Sequence, residues 1–262
     1  MDAHVPFTQF AQSASLFTLR EARDRYSKDQ HNRSLLNILH RLKRDGRVHR
    51  LANGVYTGAF SALPLDRYQV PSALREDGIV ALHSALEWHG LANQVLQTVY
   101  YFSIRPRKDV AFEGVTYHRV APPRALRDEK QRLLGVNVGT DHVLVTERER
   151  SFVDCLMFPE YSGGVDELDK SLAMFPAFDF ETALEYLKLL RKPWLYSRLG
   201  FFLDRHANTL FFRGAPREAL LSKLPRGVAY LGDKRPGNRW VPQWKLMVPE
   251  TLAPTENGKI PT

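Results

Sequence analysis

Cysteine is almost absent: Cys155 stands alone among 262 residues, so no intramolecular disulfide can form. No apolar run approaches the roughly 18 residues of a membrane span, and the opening MDAHVPFTQF lacks the basic stretch and apolar core of a secretory leader. The expectation is a cytoplasmic protein with no membrane partner. Gly163-Gly164 sits in no Gly-x-x-x-x-Gly-Lys-Ser/Thr pattern, and reads as a turn opening a helix at Val165. There is no cysteine pair, and His83 and His89 lie six apart on one predicted helix, where i, i+4 ligands would share a face. Neither a metal nor a cofactor is therefore expected. Cys155 lies in SFVDCLMF, an apolar setting that buries a thiol rather than activating it. Asp154, Asp166 and Asp169 do not form a compact Asp…Glu-x-Lys arrangement of the kind used for metal-dependent phosphodiester cleavage, and read as acids solvating helices. No catalytic residue is expected, and the chain reads as a non-enzyme.

What is present is ordinary globular composition, 44% hydrophobic and 25% charged, over a length that suggests about two domains. The net charge of +8 is unevenly placed. Residues 1 to 58 hold ten Lys/Arg against five acids, which is +5 in less than a quarter of the chain. Such a concentration suggests a polyanionic partner.

The local signals in that segment have an order. A first helix is expected over Phe7 to Ser13. Thr18 is a suitable N-cap for a short helix in which Leu19, Ala22 and Tyr26 share a face. Ser27 reads as the N-cap of a longer helix and Gly46 as its stop, with Leu35, Ile38, Leu39 and Leu42 as the buried stripe. The opposite side carries Gln30, Arg33, Asn37, Arg41 and Arg44, with His40 at its margin and no carboxylate. Arginine and the amides are the side chains that read base edges bidentately or grip phosphate. Val48 to Leu51 and Val55 to Thr57 then flank Ala52-Asn53-Gly54, and Asn-Gly is a strong hairpin signal. Clean period-2 alternation is missing, so the register stays open. The order matches a winged helix-turn-helix. Its DNA-contacting residues would be Lys28, Gln30, Arg33, Asn37, Arg41, Arg44, Arg47, Arg50 and Asn53, with Lys28 close to the start of the second helix.

The remainder predicts a mixed α+β domain. GAFSALPLDRYQVPS, residues 58 to 72, reads as connector sequence because Pro64 and Pro71 disfavour helix before them, and the linker is expected over 59 to 73. The larger domain is expected over 74 to 250 and a flexible tail over 251 to 262. IVALHSALEWHGL reads as a helix ended by Gly90; TVYYFSI, VTYHRV and HVLVTE read as strands, with a turn at Glu113-Gly114; RERSFVDCLMF and GGVDELDKSLAMF read as helices. From Asp179 three helices are expected, in FETALEYLKLL, SRLGFFLDRH and PREALLSKLP, followed by short strands in GVAYLG and VPQWKLMV. The fold class expected is α+β: an N-terminal winged helix-turn-helix and a larger mixed domain.

RLKRDGRVHRLANGVYTG resembles the end of the winged helix in the AbiEi family of antitoxins, which carries a similar L.R.G.I.RL.RGLY segment. ALHSALEWHGL resembles that family's helix ending in His-Gly-Leu, RERSFVDCLMFPEYSGGVDEL its R..VDCL..P...GG..E region, and SRLGFFLDRH a later helix. The likeness runs from about Leu16 to about His206. It implies a transcriptional autorepressor that binds double-stranded DNA at inverted repeats in its own promoter. It also implies an antitoxin against a nucleotidyltransferase-like toxin in a type IV toxin-antitoxin system, where antagonism need not involve a stable complex. The family's wing often has arginine where this chain has Asn53, so wing contacts would rest on Arg47 and Arg50. No antitoxin residues are assigned; Lys188, Arg191, Lys192 and Arg198, or Lys234, Arg235 and Arg239, are candidates by charge alone. Two alternatives remain open: a winged-helix transcription factor with a ligand-sensing domain, and a DNA-targeted nuclease.

Overall fold

A computed structural model describes residues 6–26, 32–128, 135–138 and 143–253, and the architecture is mixed α+β with several sheets. The chain divides into two compact units. One comprises Met1–Ile79, Gln97–Ala121 and Val138–Leu144; the other comprises Val80–Leu96, Pro122–Asn137 and Val145–Thr262. These units do not follow the expected boundaries at 58, 73 and 250. Strand pairing is the reason: residues 97–121 build strands that share a core with the N-terminal segment, a long-range choice that local composition does not carry.

The first unit opens with α1 (Phe7–Ser13), β1 (Phe17–Thr18), α2 (Leu19–Tyr26) and α3 (Asn32–Arg44). The hairpin β2 (Val48–Ala52) and β3 (Val55–Gly58) follows, and the strands order β1-β3-β2. Thr18 Oγ1 accepts from the Glu21 amide at 3.0 Å while Glu21 Oε2 accepts from the Thr18 amide at 3.5 Å, a reciprocal capping box at the start of α2. Gly46, at φ +69°, ends α3: its amide reaches Lys43 O at 3.2 Å and the Arg47 amide reaches Leu42 O at 2.9 Å. This is the paired arrangement that glycine permits and that turns the chain into β2. Phe7, Ala11, Phe17, Ala22, Tyr26, Leu35, Leu39, Leu42 and Val48 make the core under α1–α3.

Residues 59–73 are not wholly a linker. Pro71 sits in the first turn of α4 (Val70–Leu74), where its missing N–H costs nothing, and Val70, Pro71 and Leu74 are buried. Val70 and Leu74 join Leu51, Val55, Val99, Tyr101 and Tyr117 in a second core. Its sheet runs β6 (Val110–Phe112), β7 (Val115–Val120), β5 (Thr98–Phe102), with β6 antiparallel and β5 parallel to β7. Glu113 and Gly114 both have positive φ and form the β6–β7 turn. Strand β6, between the expected strands TVYYFSI and VTYHRV, is an addition to the sequence expectation.

Ile79–Val80 is strand β4 rather than helix, and the second unit begins at Val80; α5 begins only at His83 and ends at Trp88, with Gly90 at φ +71°. Val80 pairs in parallel with Val145 of β9 (Leu144–Thr146); β8 is Val136–Val138. Helices α6 (Arg148–Met157), α7 (Val165–Ala173), α8 (Phe180–Leu190), α9 (Pro193–Arg205) and α10 (Ala215–Leu221) follow. A sheet of order β10 (Ala229–Tyr230), β12 (Leu246–Val248), β11 (Arg239–Val241) closes the described chain. Phe152 packs edge-on against Phe175, Phe178 and Phe202 at 5.9 to 6.3 Å. Cys155 is buried, which pushes its thiol well above the usual range. Leu252, expected in the tail, is buried, and its carbonyl accepts from Arg205 at 2.9 Å; residues 254–262 lie outside the described residues. Among the described residues no helix is long and apolar enough to cross a membrane.

Candidate nucleic-acid interface

Helix α3 buries Leu35, Leu39 and Leu42 against α1 and α2, with Ile38 half-buried, so its orientation on the core is fixed by that stripe. Arg33, Asn37, Arg41 and Arg44 then fall on the outer side, and all four are exposed. At 100° per residue they occupy an arc of about 80°, and at 1.5 Å per residue they span roughly 16 Å along the axis. Exposed His40 lies about 20° outside this arc, at its margin. Lys28 and Gln30 lie outside the described residues, as does Ser27.

The hairpin supplies the second part. Val48 pairs with Gly58, His49 with Thr57 and Arg50 with Tyr56, after which a bulge shifts the register so that Ala52 faces Val55. The bulge explains the broken alternation in the sequence. Val48 enters the first core and Leu51 the second, leaving the consecutive His49 and Arg50 both exposed. Gly54 has φ +76°, whereas Asn53 does not enter the left-handed region. Asn53 instead holds Arg50: its Oδ1 accepts from Arg50 Nη2 at 2.9 Å, and Ala52 O accepts from Arg50 Nε at 3.2 Å. Asn53 thus anchors the arginine at the hairpin tip, a role that spacing alone did not disclose. Two further contacts fix the tip: the Leu19 amide donates to Gly54 O at 2.8 Å, and the Phe17 and Tyr56 rings stack at 5.5 Å.

Helix and hairpin meet at a small cavity of about 50 Å³ lined by Leu36, Leu39, His40, Lys43, Arg50 and Tyr56. It places His40 and Lys43 of α3 beside Arg50 of β2. Lys43 was missed by the sequence reading, because it lies off the arc of Arg33 and Arg41 and gains its place only from the packing of the hairpin. Among the described residues, Arg33, Arg41, Lys43 and Arg47 have no ion-pair partner. Arg44 lies 3.6 Å from Asp45, with both side chains largely in solvent, so the pairing neutralises little.

The acids once considered for metal chemistry do not converge. Burial pushes the carboxyl of Asp154 up to about 6; its Oδ1 accepts from Tyr186 Oη at 2.5 Å and its Oδ2 lies 3.4 Å from Arg150 Nε. Asp169 accepts from both Arg205 nitrogens and from His206, and these bonds outweigh its partial burial to hold it at about 2. Asp154 and Asp169 are therefore core and ion-pair residues, not solvated helix acids. His83, fully buried, sits 3.3 Å from Glu167 Oε1, which also accepts from the Asn93 and Gln94 amides. Among the described residues no group of three or more His, Cys, Asp or Glu is arranged to hold a metal ion.

No protein-family model matches this chain, and no curated protein matches it in sequence. Its fold has a counterpart. The RV2827C protein from Mycobacterium tuberculosis, known from a crystal structure, is similar with a TM-score of 0.60 and 16% identity over 92% of this chain and 89% of that one. At that identity the likeness is one of fold. The segments ALHSALEWHGL and RERSFVDCLMFPEYSGGVDEL come together in the second unit through His83, Gly163 and Glu167, and His89 Nε2 bonds Thr146 O at 2.7 Å, two residues before the second segment. Of their polar residues, His83, Ser84, Glu149, Arg150, Ser151, Asp154, Ser162 and Glu167 are buried.

Proposed function

We propose that α1–α3 and the hairpin form a winged helix-turn-helix that binds double-stranded DNA, and that the chain acts in the cytoplasm as a sequence-specific autorepressor and antitoxin. One observation carries the DNA-binding reading. The cations of α3 and of the hairpin are all exposed on adjoining elements, and Asp45 is the single acid between Arg33 and Arg50. In this reading α3 enters the major groove, where Arg33 and Asn37 reach guanine and adenine edges, and Arg41 and Arg44 follow the backbone. Arg47 and the Asn53-anchored Arg50 grip phosphate or the minor groove from the wing. Specificity then comes from the helix, and salt-dependent affinity from both elements.

The antitoxin part rests on the resemblance to the AbiEi family and assigns no catalytic step. It is tested by co-expressing the chain with the product of the adjacent gene, a nucleotidyltransferase-like toxin in this reading, and scoring growth. Rescue without a stable complex supports the type IV form, and no rescue refutes it. The DNA part is tested by binding to the chain's own upstream region.

A second reading, a transcription factor that senses a small ligand, draws on a cavity of about 670 Å³ inside the first unit. It is lined by α2, the hairpin tip and α4, and carries Arg20, Arg25, Arg75 and Arg105 alongside Glu21, Asp24 and Glu76. Arg20 and Glu76 form an ion pair across it. Release from DNA by a small metabolite, abolished by Arg75→Ala, would favour this reading.

A further inference from the structure

The sheet β10-β12-β11 in the second unit has two unlike faces. Ala229, Leu246 and Val241 occupy one face and are buried. On the other, the register sets Tyr230 beside Met247 and Met247 beside Trp240, so the three side chains form a row across all three strands. Tyr230 and Met247 are half-buried, and Trp240, on the edge strand, is 44% exposed. A phenol, a thioether and an indole thus lie side by side on the solvent face of a sheet. Lys234 Nζ stands 4.8 Å from the centre of the Tyr230 ring.

Charge accompanies this row. Between Lys223 and Glu250 the chain has six Lys/Arg (Lys223, Arg226, Lys234, Arg235, Arg239, Lys245) against two acids, Asp233 and Glu250. That segment carries +4 and residues 1 to 58 carry +5, so all other residues together sum to −1. The ion pairs Arg235–Asp233 and Arg239–Glu250 are largely in solvent and cancel little of the field.

We propose that this outer face is a stacking platform for single-stranded nucleic acid, with an unpaired base on Trp240 and phosphates on Arg235 and on Lys234 above the Tyr230 ring. Aromatic rings exposed on a sheet stack on bases only where the bases are unpaired, which favours single strands over duplex as the ligand. Lysine is depleted at protein–protein interfaces, whereas a lysine beside an aromatic ring fits a polyanion that presents both rings and charge. The platform is independent of the duplex-binding face on α3.

The test is fluorescence anisotropy of the full chain with labelled 12-nucleotide oligo(U), oligo(dT) and a 12-base-pair duplex. An Arg41→Ala/Arg47→Ala variant serves as background to weaken the contribution of α3 and the wing. The expected result is that single strands bind in that background and that Trp240→Ala weakens them about 5- to 150-fold, the range for loss of one stacked base. Trp240→Phe should keep most of the affinity but lose the tryptophan quenching that accompanies binding, and Lys234→Ala should lower the log–log salt slope by about 0.7. No binding of single strands by the wild-type chain up to about 100 μM would overturn the proposal. Equal binding by wild type and a folded Trp240→Ala, or loss of all single-strand binding in the background variant, would overturn it as well.

Discussion

Asp154→Asn should change the pH dependence of stability in the second unit. Asp154 is fully buried on α6, and burial raises its carboxyl to about 6 against an ordinary 3.8, even though Arg150 and the Tyr186 hydroxyl favour the charged form. A folded-state pKa raised above the unfolded one means that the native state holds its proton over a pH range where the unfolded chain has released it. The contribution to stability is therefore present below about pH 4 and is lost as pH rises through about 6. About two pKa units correspond to about 3 kcal/mol at 1.36 kcal/mol per unit. Asparagine keeps an acceptor for Tyr186 and removes the titration. All four tryptophans, Trp88, Trp194, Trp240 and Trp244, lie in the second unit, so urea unfolding followed by their fluorescence reports that unit. Subtracting the variant's stability from wild type at each pH cancels the other groups, including Asp169, which titrates lower. The difference should shift in favour of wild type by about 2 kcal/mol between pH 7 and pH 4. A difference that stays flat over that range would refute the burial argument.

Other outcomes follow from single contacts. A Cβ at Gly58 would lie 2.2 Å from the Gln12 carbonyl oxygen, and one at Gly200 would lie 2.1 Å from the Trp244 ring. Each alanine should cost about 2 kcal/mol or more, read by amide exchange over residues 7–58 for Gly58→Ala and by tryptophan fluorescence for Gly200→Ala. Thr18→Ala removes the cap of α2 and should cost about 1 kcal/mol in the first unit, measured by thermal unfolding followed by circular dichroism. Arg33→Ala and Asn37→Ala should each weaken the specific DNA site by about 1 to 3 kcal/mol in competition titrations, while Arg47→Ala should weaken every duplex and lower the salt slope by about one. Asn53→Ala should reproduce part of the loss in Arg50→Ala, because it frees the guanidinium that Asn53 holds at 2.9 Å.

The parts of the molecule legible in the sequence are those decided within a few residues. Thr18 caps α2, Gly46 and Gly90 end helices through positive φ, Asn53-Gly54 turns the hairpin, and Leu35, Leu39 and Leu42 define the buried side of α3. What escaped depends on partners far along the chain. Ile79 and Val80 have helical spacing with Leu82 and Leu86, yet a strand at Val145 claims Val80. The bulge at Leu51 exists because β2 serves two cores, one of them built partly from residues 99–117. Asp154 looked like a solvent-facing acid because its neighbours Tyr186 and Arg150 are brought to it by helix packing. At the candidate interface, the arginines on α3 were visible from periodicity, whereas the link between Lys43 and Arg50 appears only once the hairpin is docked.

The claim at the centre of this account is that α3 and the hairpin read a DNA sequence. It is tested most directly by titrating the full chain, at two salt concentrations, against a duplex from its own upstream region and a scrambled duplex of equal length. The expected result is a preference of about a thousandfold or more for the upstream duplex, with affinity falling steeply with salt. Equal, weak binding to both duplexes would contradict it.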